Sequence, residues 1–156
     1  MAGQQPDPAR LLAARRFALA GASRNGRRFG NTLLREMRRR GLQVHALHPE
    51  ARELEGQPCH RGLAQLPEPA EVLVVCVPPA KALELLRDAA VAGVRLIWMQ
   101  PGSSSRETAA LAAELGLECV TGRCLLLHLE PVRGLHAVHR WLARRWGPHA
   151  TRPQGG

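Results

Sequence analysis

Short apolar stretches alternate with longer amphipathic stretches along most of the chain, and each apolar stretch ends close to Gly, Pro or Ser. Apolar runs of this length, bounded by turn residues, are typical of buried strands. We therefore predict five strands: Phe17–Ala20, Leu42–Leu47, Val72–Val77, Val94–Met99 and Leu117–Val120. The third run, VLVVCV, is apolar throughout, as expected for a parallel strand that is buried on both faces.

The amphipathic stretches predict helices, because their apolar residues recur at helical spacing. The predicted helices are Ala9–Arg15, Asn31–Arg40, Lys81–Ala92, a helix that follows Ser103–Ser105 and ends at Leu115, and Val132–Trp146. Between the second and third strands, we expect residues 50–66 to be irregular apart from one helical turn at Leu63–Leu66. Strands that alternate with helices predict an α/β fold, a Rossmann-like doubly wound and mostly parallel five-stranded sheet.

The length of 156 residues fits one domain. We expect residues 1–8 to form a disordered N-terminal tail, residues 9–147 the folded domain and residues 148–156 a disordered C-terminal tail. The face of the last predicted helix that carries Trp141 and Trp146 either packs on the sheet or forms a homodimer contact.

The chain is basic, with 22 Lys and Arg against 13 Asp and Glu and a net charge of +9. Lys81 is the single lysine, so the charge reflects an arginine-rich composition more than a particular partner. With aromatic residues at 3%, nothing indicates a stacking surface for nucleic acid. No apolar run is long enough to cross a membrane. Arg15 and Arg16 interrupt the apolar residues near the N-terminus, which disfavours an export signal and favours a cytoplasmic protein.

The four cysteines lack C-x-x-C spacing, and we expect free thiols. Cys76 lies within a predicted strand and is expected to be buried. Cys124 follows Arg123, which alone is a weak reason to expect a reactive thiol, so we favour a structural role. His136 and His139 have helical spacing but no further ligand near them, so no metal site is predicted.

The stretch from Phe17 to Gly30 has the order strand, glycine-containing turn and helix. In an open α/β sheet, such a turn binds phosphate through backbone N–H groups at the start of the helix. Gly21, Gly26 and Gly30 do not have the G-x-G-x-x-G spacing of a dinucleotide fingerprint, and His48 and Pro49 stand where that fingerprint needs an acidic residue. NAD is therefore disfavoured.

A P-loop is rejected as well. The segment from Gly21 to Arg28 has Arg27 in place of its lysine and Arg28 in place of the hydroxyl residue that holds magnesium. The loops at the ends of the first four predicted strands carry Gly, Pro, Ser and Gln but no carboxylate. They favour holding a ligand over catalysing a reaction, and no catalytic residue is predicted.

Six short motifs occur in order along the chain: Gly21–Asn25, Phe29–Asn31, His48–Pro49, Val77–Pro79, Ile97–Gly102 and Gly122–Cys124. Together they resemble the stand-alone CoA-binding proteins, which are similar to the CoA-binding domain of the succinyl-CoA synthetase alpha subunit. The resemblance covers about Arg16 to Gly147, nearly the whole chain.

The resemblance implies a CoA site across the strand ends. The first loop would take the CoA phosphates, the residues after the second strand would lie near the nucleotide, and the end of the third strand would flank the adenine. The end of the fourth strand would close the other side. The implied cofactor-binding residues are Gly21, Ala22, Ser23, Arg24, Phe29, Gly30, Asn31, His48, Pro49, Val77, Pro78, Pro79, Gln100 and Gly102.

Relatives often have a lysine just after the proline that follows the second strand, where this chain has Glu50 and Ala51. The synthetase also uses a phosphorylated histidine on a second domain, and that activity is not transferred to this chain. The resemblance thus implies a protein that binds CoA or acyl-CoA without catalysis of its own. An NAD(P)-binding sensor or oxidoreductase is the alternative, and a purely structural, partner-binding role is the third.

Overall fold

The computed structural model describes residues 4–129 of the chain. The predicted helix Val132–Trp146, with its two alternatives for packing, lies outside the described residues, and the predicted domain limits stay a prediction. None of the helices within residues 4–129 is long and apolar enough to cross a membrane.

Four α-helices and seven strands, two of them very short, make up this region. The helices are α1 (Pro8–Leu12), α2 (Phe29–Arg39), α3 (Pro79–Ala92) and α4 (Arg106–Glu114). The strands are β1 (Arg16–Ala20), β2 (Gln43–Leu47), β3 (Glu53–Leu54), β4 (Gln57–Pro58), β5 (Val72–Val75), β6 (Leu96–Met99) and β7 (Glu118–Val120). Two 3₁₀ turns, Leu63–Gln65 and Leu125–Leu127, complete the order.

The main sheet has five parallel strands in the order β2-β1-β5-β6-β7. This confirms the predicted Rossmann-like α/β fold. Successive residues of a strand are buried on opposite faces of the sheet, each against a different set of helices. Phe17 and Leu19 pack with α1 and α2, whereas Ala18 and Ala20 pack with α3 and α4. Helices therefore cover both faces of the sheet, which explains the continuously apolar strands.

Residues 50–66, predicted as irregular apart from one turn, also contain a small hairpin. The strands β3 and β4 pair antiparallel through a two-residue turn at Glu55 and Gly56, whose φ angles are 52° and 74°. Positive φ at both central residues defines a type I′ turn, the form that matches the twist of a hairpin. Beyond it, the backbone of His60 pairs with Ala46 and His48, so this segment covers the outer edge of β2.

Candidate functional site

The carboxyl ends of β1 and β5 lie side by side, but the chain leaves them toward different sides of the sheet. From β1 it passes through α2 to the edge strand β2, and from β5 it passes through α3 to β6. Such a switch in strand order opens a crevice at the strand ends, where α/β proteins of this kind bind ligands.

Two glycines bring the loop between β1 and α2, residues 21–28, into close contact with its neighbours. We call it the phosphate loop, after the role that the sequence predicts for it. Gly21 has a φ of 120°, and a Cβ atom there would lie 2.3 Å from the carbonyl oxygen of Cys76. At Gly30, in the first turn of α2, a Cβ atom would lie 2.5 Å from the carbonyl oxygen of Gly21. Glycine is therefore required at both positions, and the loop is pressed between α2 and the end of β5.

Asn31 fixes the shape of the phosphate loop from the first turn of α2. Its side chain is fully buried, and its Oδ1 accepts hydrogen bonds from the backbone N–H of Ser23 at 2.8 Å and from the Ser23 hydroxyl at 3.1 Å. Its Nδ2 donates to the carbonyl oxygen of Ser23 at 2.8 Å. The amide thus satisfies the Ser23 backbone and anchors the loop.

The hairpin supports this anchor. Glu55 Oε1 accepts hydrogen bonds from Asn31 Nδ2 and Arg35 Nη1, both at 2.8 Å. Burial alone would raise the pKa of Glu55, but these two bonds and the positive charge of Arg35 hold it below its ordinary value. The carboxylate therefore stays ionised, and the hairpin, α2 and the phosphate loop form one hydrogen-bonded unit.

His48 organises the loop after β2. Its Nδ1 accepts hydrogen bonds from the backbone N–H groups of Glu50 at 3.1 Å and Ala51 at 2.9 Å, so the ring is neutral with its proton on Nε2. Burial and the positive charges of Arg24 and Arg28 lower the pKa of His48, an effect that Glu50 partly opposes. The neutral form is thus the one that the folded chain favours.

Gln100, which follows the carboxyl end of β6, has a comparable structural role. Its side chain is 2% exposed, and its Oε1 accepts a hydrogen bond from the backbone N–H of Leu125 at 3.0 Å. Its Nε2 lies 3.9 Å from the sulfur of Cys124. Nearby, the indole N–H of Trp98 donates to the carbonyl oxygen of Arg123 at 3.0 Å. Trp98 and Gln100 therefore hold the loop after β7 against the sheet.

A cleft of about 560 Å³ opens at the switch point, and we call it the strand-end cleft. The phosphate loop, the loop after β2 and one face of α3 surround it. Its lining consists of Ala20, Gly21, Ala22, Ser23, Arg24, Arg28, Leu47, His48, Pro49, Glu50, Arg61, Val77, Lys81, Glu84, Leu85 and Asp88.

Half of the residues predicted to bind the cofactor line this cleft: Gly21, Ala22, Ser23, Arg24, His48, Pro49 and Val77. The other seven, which do not line it, are Phe29, Gly30, Asn31, Pro78, Pro79, Gln100 and Gly102. Among these, Gly30, Asn31 and Gln100 are built into the supports of loops. Direct ligand contact by any of these residues stays a prediction.

Sequence reasoning missed most of the charged wall. Arg28, Arg61, Lys81, Glu84 and Asp88 are not among the predicted site residues, yet all five line the cleft. Burial and the neighbouring Glu84 raise the pKa of Asp88. A signal was present in the 4-residue spacing of Glu84 and Asp88, which places both on one face of α3.

A second groove, of about 530 Å³, shares Arg61 and Asp88 with the strand-end cleft and runs along the second half of α3. Its lining includes Leu63, Leu66 and Val91 and holds no part of the phosphate loop. Within residues 4–129, no cluster of three or more potential metal ligands occurs. The strand-end cleft is therefore the candidate site for an anionic ligand.

Relatives of the chain include parts of larger enzymes as well as single-domain proteins. It is 29% identical over 126 residues to the acetate–CoA ligase (ADP-forming) I of Archaeoglobus fulgidus, covering 74% of this chain and 18% of the ligase. The chain thus spans less than a fifth of that curated relative.

Two solved structures are similar. A conserved hypothetical protein from Pyrococcus furiosus matches with a TM-score of 0.70 and 35% identity, over 74% of this chain and 99% of that one. Acetyl-coenzyme A synthetase 1 of Ca. Korarchaeum cryptofilum, solved in complex with phosphate and ADP, matches with a TM-score of 0.63 and 26% identity, over 73% of this chain and 27% of the synthetase.

The model of the CoA binding domain family matches residues 15–130, which contain the whole sheet and the strand-end cleft. This match covers well over half of the chain. The protein therefore belongs to the CoA binding domain family.

Proposed function

We propose that the chain binds CoA or an acyl-CoA in the strand-end cleft, with a phosphate group against the phosphate loop, and that it does so without catalysis of its own. One observation carries the proposal: in a member of the CoA binding domain family, the cleft at the switch point is lined by the phosphate loop with its cations Arg24 and Arg28. Arginine suits this task because its guanidinium donates paired hydrogen bonds to phosphate oxygens.

The rigid packing of the phosphate loop supports binding. Gly21 and Gly30 leave no space for a side chain between the loop and its neighbours, and Asn31 satisfies the Ser23 backbone. A loop that is already ordered loses little conformational entropy when a ligand binds. The Nδ1 of His48 is not free to act as a base in the cleft, because it already accepts two backbone N–H groups.

Thermal unfolding with CoA, acetyl-CoA, NAD, NADP and ATP at matched ionic strength tests the proposal. A ligand that binds only the native state adds about 2.7 kcal/mol to the free energy of unfolding at 100 times its dissociation constant. We expect CoA and acetyl-CoA to stabilise the chain and the other nucleotides to have smaller effects. An equal shift with all five would indicate nonspecific charge, and a shift with NAD or NADP alone would favour the dinucleotide alternative.

A pair of variants localises the effect. Arg24→Gln combined with Arg28→Gln removes two cations of the cleft, whereas Arg27→Gln removes a neighbouring exposed charge that does not line it. We expect the stabilisation by CoA to fall in the double variant and to persist in Arg27→Gln. If CoA stabilises all three proteins equally, the ligand binds elsewhere.

A further inference from the structure

The cations of the strand-end cleft differ in whether they have an ion-pair partner. Arg24 pairs with Glu50. Arg28, Arg61 and Lys81 have no carboxylate within 4.0 Å among residues 4–129. Unpaired cations that converge on one cleft favour an anion there, because bringing the anion in breaks no existing ion pair.

Lys81 lies on a different wall from the arginines of the phosphate loop, and Arg61 lies in the segment that follows the hairpin. Arg24 and Arg28 belong to the phosphate loop, whereas Lys81 lies in the first turn of α3, two residues after Pro79, the first helical residue. The N-terminal end of a helix carries a partial positive charge, which adds to the charge of the lysine. The α3 wall is therefore most positive at this turn.

The same wall becomes negative further along the helix. Glu84 and Asp88 lie about one and two turns after Lys81 and also line the cleft. Both carboxylates disfavour an anion beside them. On α3, a phosphate group is thus favoured only at the first turn, separate from the phosphate group at the phosphate loop.

Two positive walls fit a ligand with two separate phosphate groups. CoA has this chemistry, since it carries a diphosphate and a phosphate monoester on its ribose. Resting on the proposed function, we propose that Lys81 binds the ribose phosphate and makes the cleft prefer CoA to dephospho-CoA. The basic residue for this phosphate is then supplied by α3, while the position after the β2 loop proline holds Glu50.

Calorimetric titration with CoA and dephospho-CoA tests the assignment. For the unaltered chain, we expect CoA to bind roughly tenfold more tightly, a factor that corresponds to about 1.4 kcal/mol. Lys81→Gln should weaken CoA to the affinity of dephospho-CoA and leave dephospho-CoA unchanged. Lys81→Arg should keep most of the preference. Arg87→Gln is the matched control, because it removes one exposed charge from α3 outside the cleft.

The outcomes separate the two proposals. If the unaltered chain binds neither compound, the proposed function fails and the role of Lys81 fails with it. If it binds both with equal affinity, or if Lys81→Gln retains the preference for CoA, the role of Lys81 is overturned while CoA binding stands. A loss of preference in Arg87→Gln equal to that in Lys81→Gln would also overturn it, since overall charge would then explain the effect.

Discussion

The guanidinium of Arg24 and the carboxylate of Glu50 join the two loops at the rim of the strand-end cleft, with Nη2 2.5 Å from Oε2. Both side chains are largely exposed, at 63% and 70%. An ion pair this exposed contributes about 0–1 kcal/mol to stability. The ion pair matters more for ligand binding than for stability, because a phosphate that reaches Arg24 must compete with Glu50.

We therefore expect Glu50→Gln to bind CoA more tightly, by up to about fivefold, the factor that corresponds to 1 kcal/mol. Glu50→Lys should bind more tightly still. Titration calorimetry at fixed ionic strength measures the change. Glu53→Gln, which removes an exposed carboxylate outside the cleft, serves as the control and should leave affinity unchanged. Weaker binding by Glu50→Gln would show that the carboxylate helps the ligand.

Asn31 is expected to be more sensitive to substitution than its neighbour Asn25. Asn31→Ala leaves the half-buried Ser23 backbone without its partner and removes one of the two side-chain donors to Glu55, which should lower the free energy of unfolding by about 3 kcal/mol. Asn31→Asp keeps the volume but places a carboxylate against Glu55, and it should destabilise as well. Denaturant unfolding measures both. Asn25→Ala, at an exposed position, should cost less than about 1 kcal/mol.

Gly30→Ala tests the close approach of α2 to the phosphate loop. Within a helix, alanine is usually more stable than glycine by about 0.5–1 kcal/mol. Here the added Cβ would lie 2.5 Å from the carbonyl oxygen of Gly21, so we expect a loss of about 1–3 kcal/mol. Gly41→Ala is the comparison. Gly41 has a φ of 79°, and an added Cβ would meet no neighbouring atom within 4 Å, so this variant measures backbone strain without crowding. Stabilisation by Gly30→Ala would contradict the packing described above.

His48 and His45 make stability depend on pH. Burial is the main cause that lowers the pKa of each ring in the folded chain. The unfolded chain therefore binds more protons near pH 6, and stability falls as the pH falls from 7 through the lowered pKa values. His48→Asn, whose Oδ1 can accept the same N–H groups, should reduce this dependence. Unfolding midpoints between pH 7.5 and 5 are the measurement, and an unchanged slope in the variant would exclude His48.

The four thiols are expected to react slowly in the folded chain. Burial raises the pKa of Cys59, Cys76 and Cys124, and it raises that of Cys119 to about 11. Because the thiolate is the reactive form, labelling by iodoacetamide at pH 8 should be much slower in native than in denatured protein. Mass spectrometry resolves the four sites. Fast native labelling of Cys124 would indicate a reactive thiol and contradict a structural role.

The periodic parts of the chain were predictable from sequence, because buried parallel strands and amphipathic helices follow from hydrophobic pattern alone. The hairpin at residues 53–58 was missed since strands of two residues carry no periodic signal, and its turn, Glu55-Gly56, is not one of the common Asn-Gly or Asp-Gly pairs. Its role in holding Asn31 depends on a contact between residues 24 positions apart, which no local pattern contains.

At the candidate site too, backbone positions were predictable from the sequence, whereas side-chain contacts were not. Residues whose backbone forms the cleft, such as Gly21 and Ala22, were predicted because they end a strand. Lys81 was missed because the helical pattern predicts that its side chain faces solvent but does not show which residues lie across the cleft from it. Asn31 and Gln100 are predicted at the ligand, and the structure shows that their polar side chains satisfy backbone groups of neighbouring loops. A sequence motif does not distinguish these two uses of an amide.

The hydrogen bond between Asn31 and Glu55 gives the hairpin an influence that its size does not suggest. The hairpin belongs to the connection between β2 and β5 and lies outside the main sheet. Connections of this kind vary more readily than the elements they join. Changes in that connection would alter how often the phosphate loop departs from the shape that Asn31 holds. The affinity for the ligand would then change because the fraction of molecules with a binding-competent loop changes, while every residue that touches the ligand stays the same.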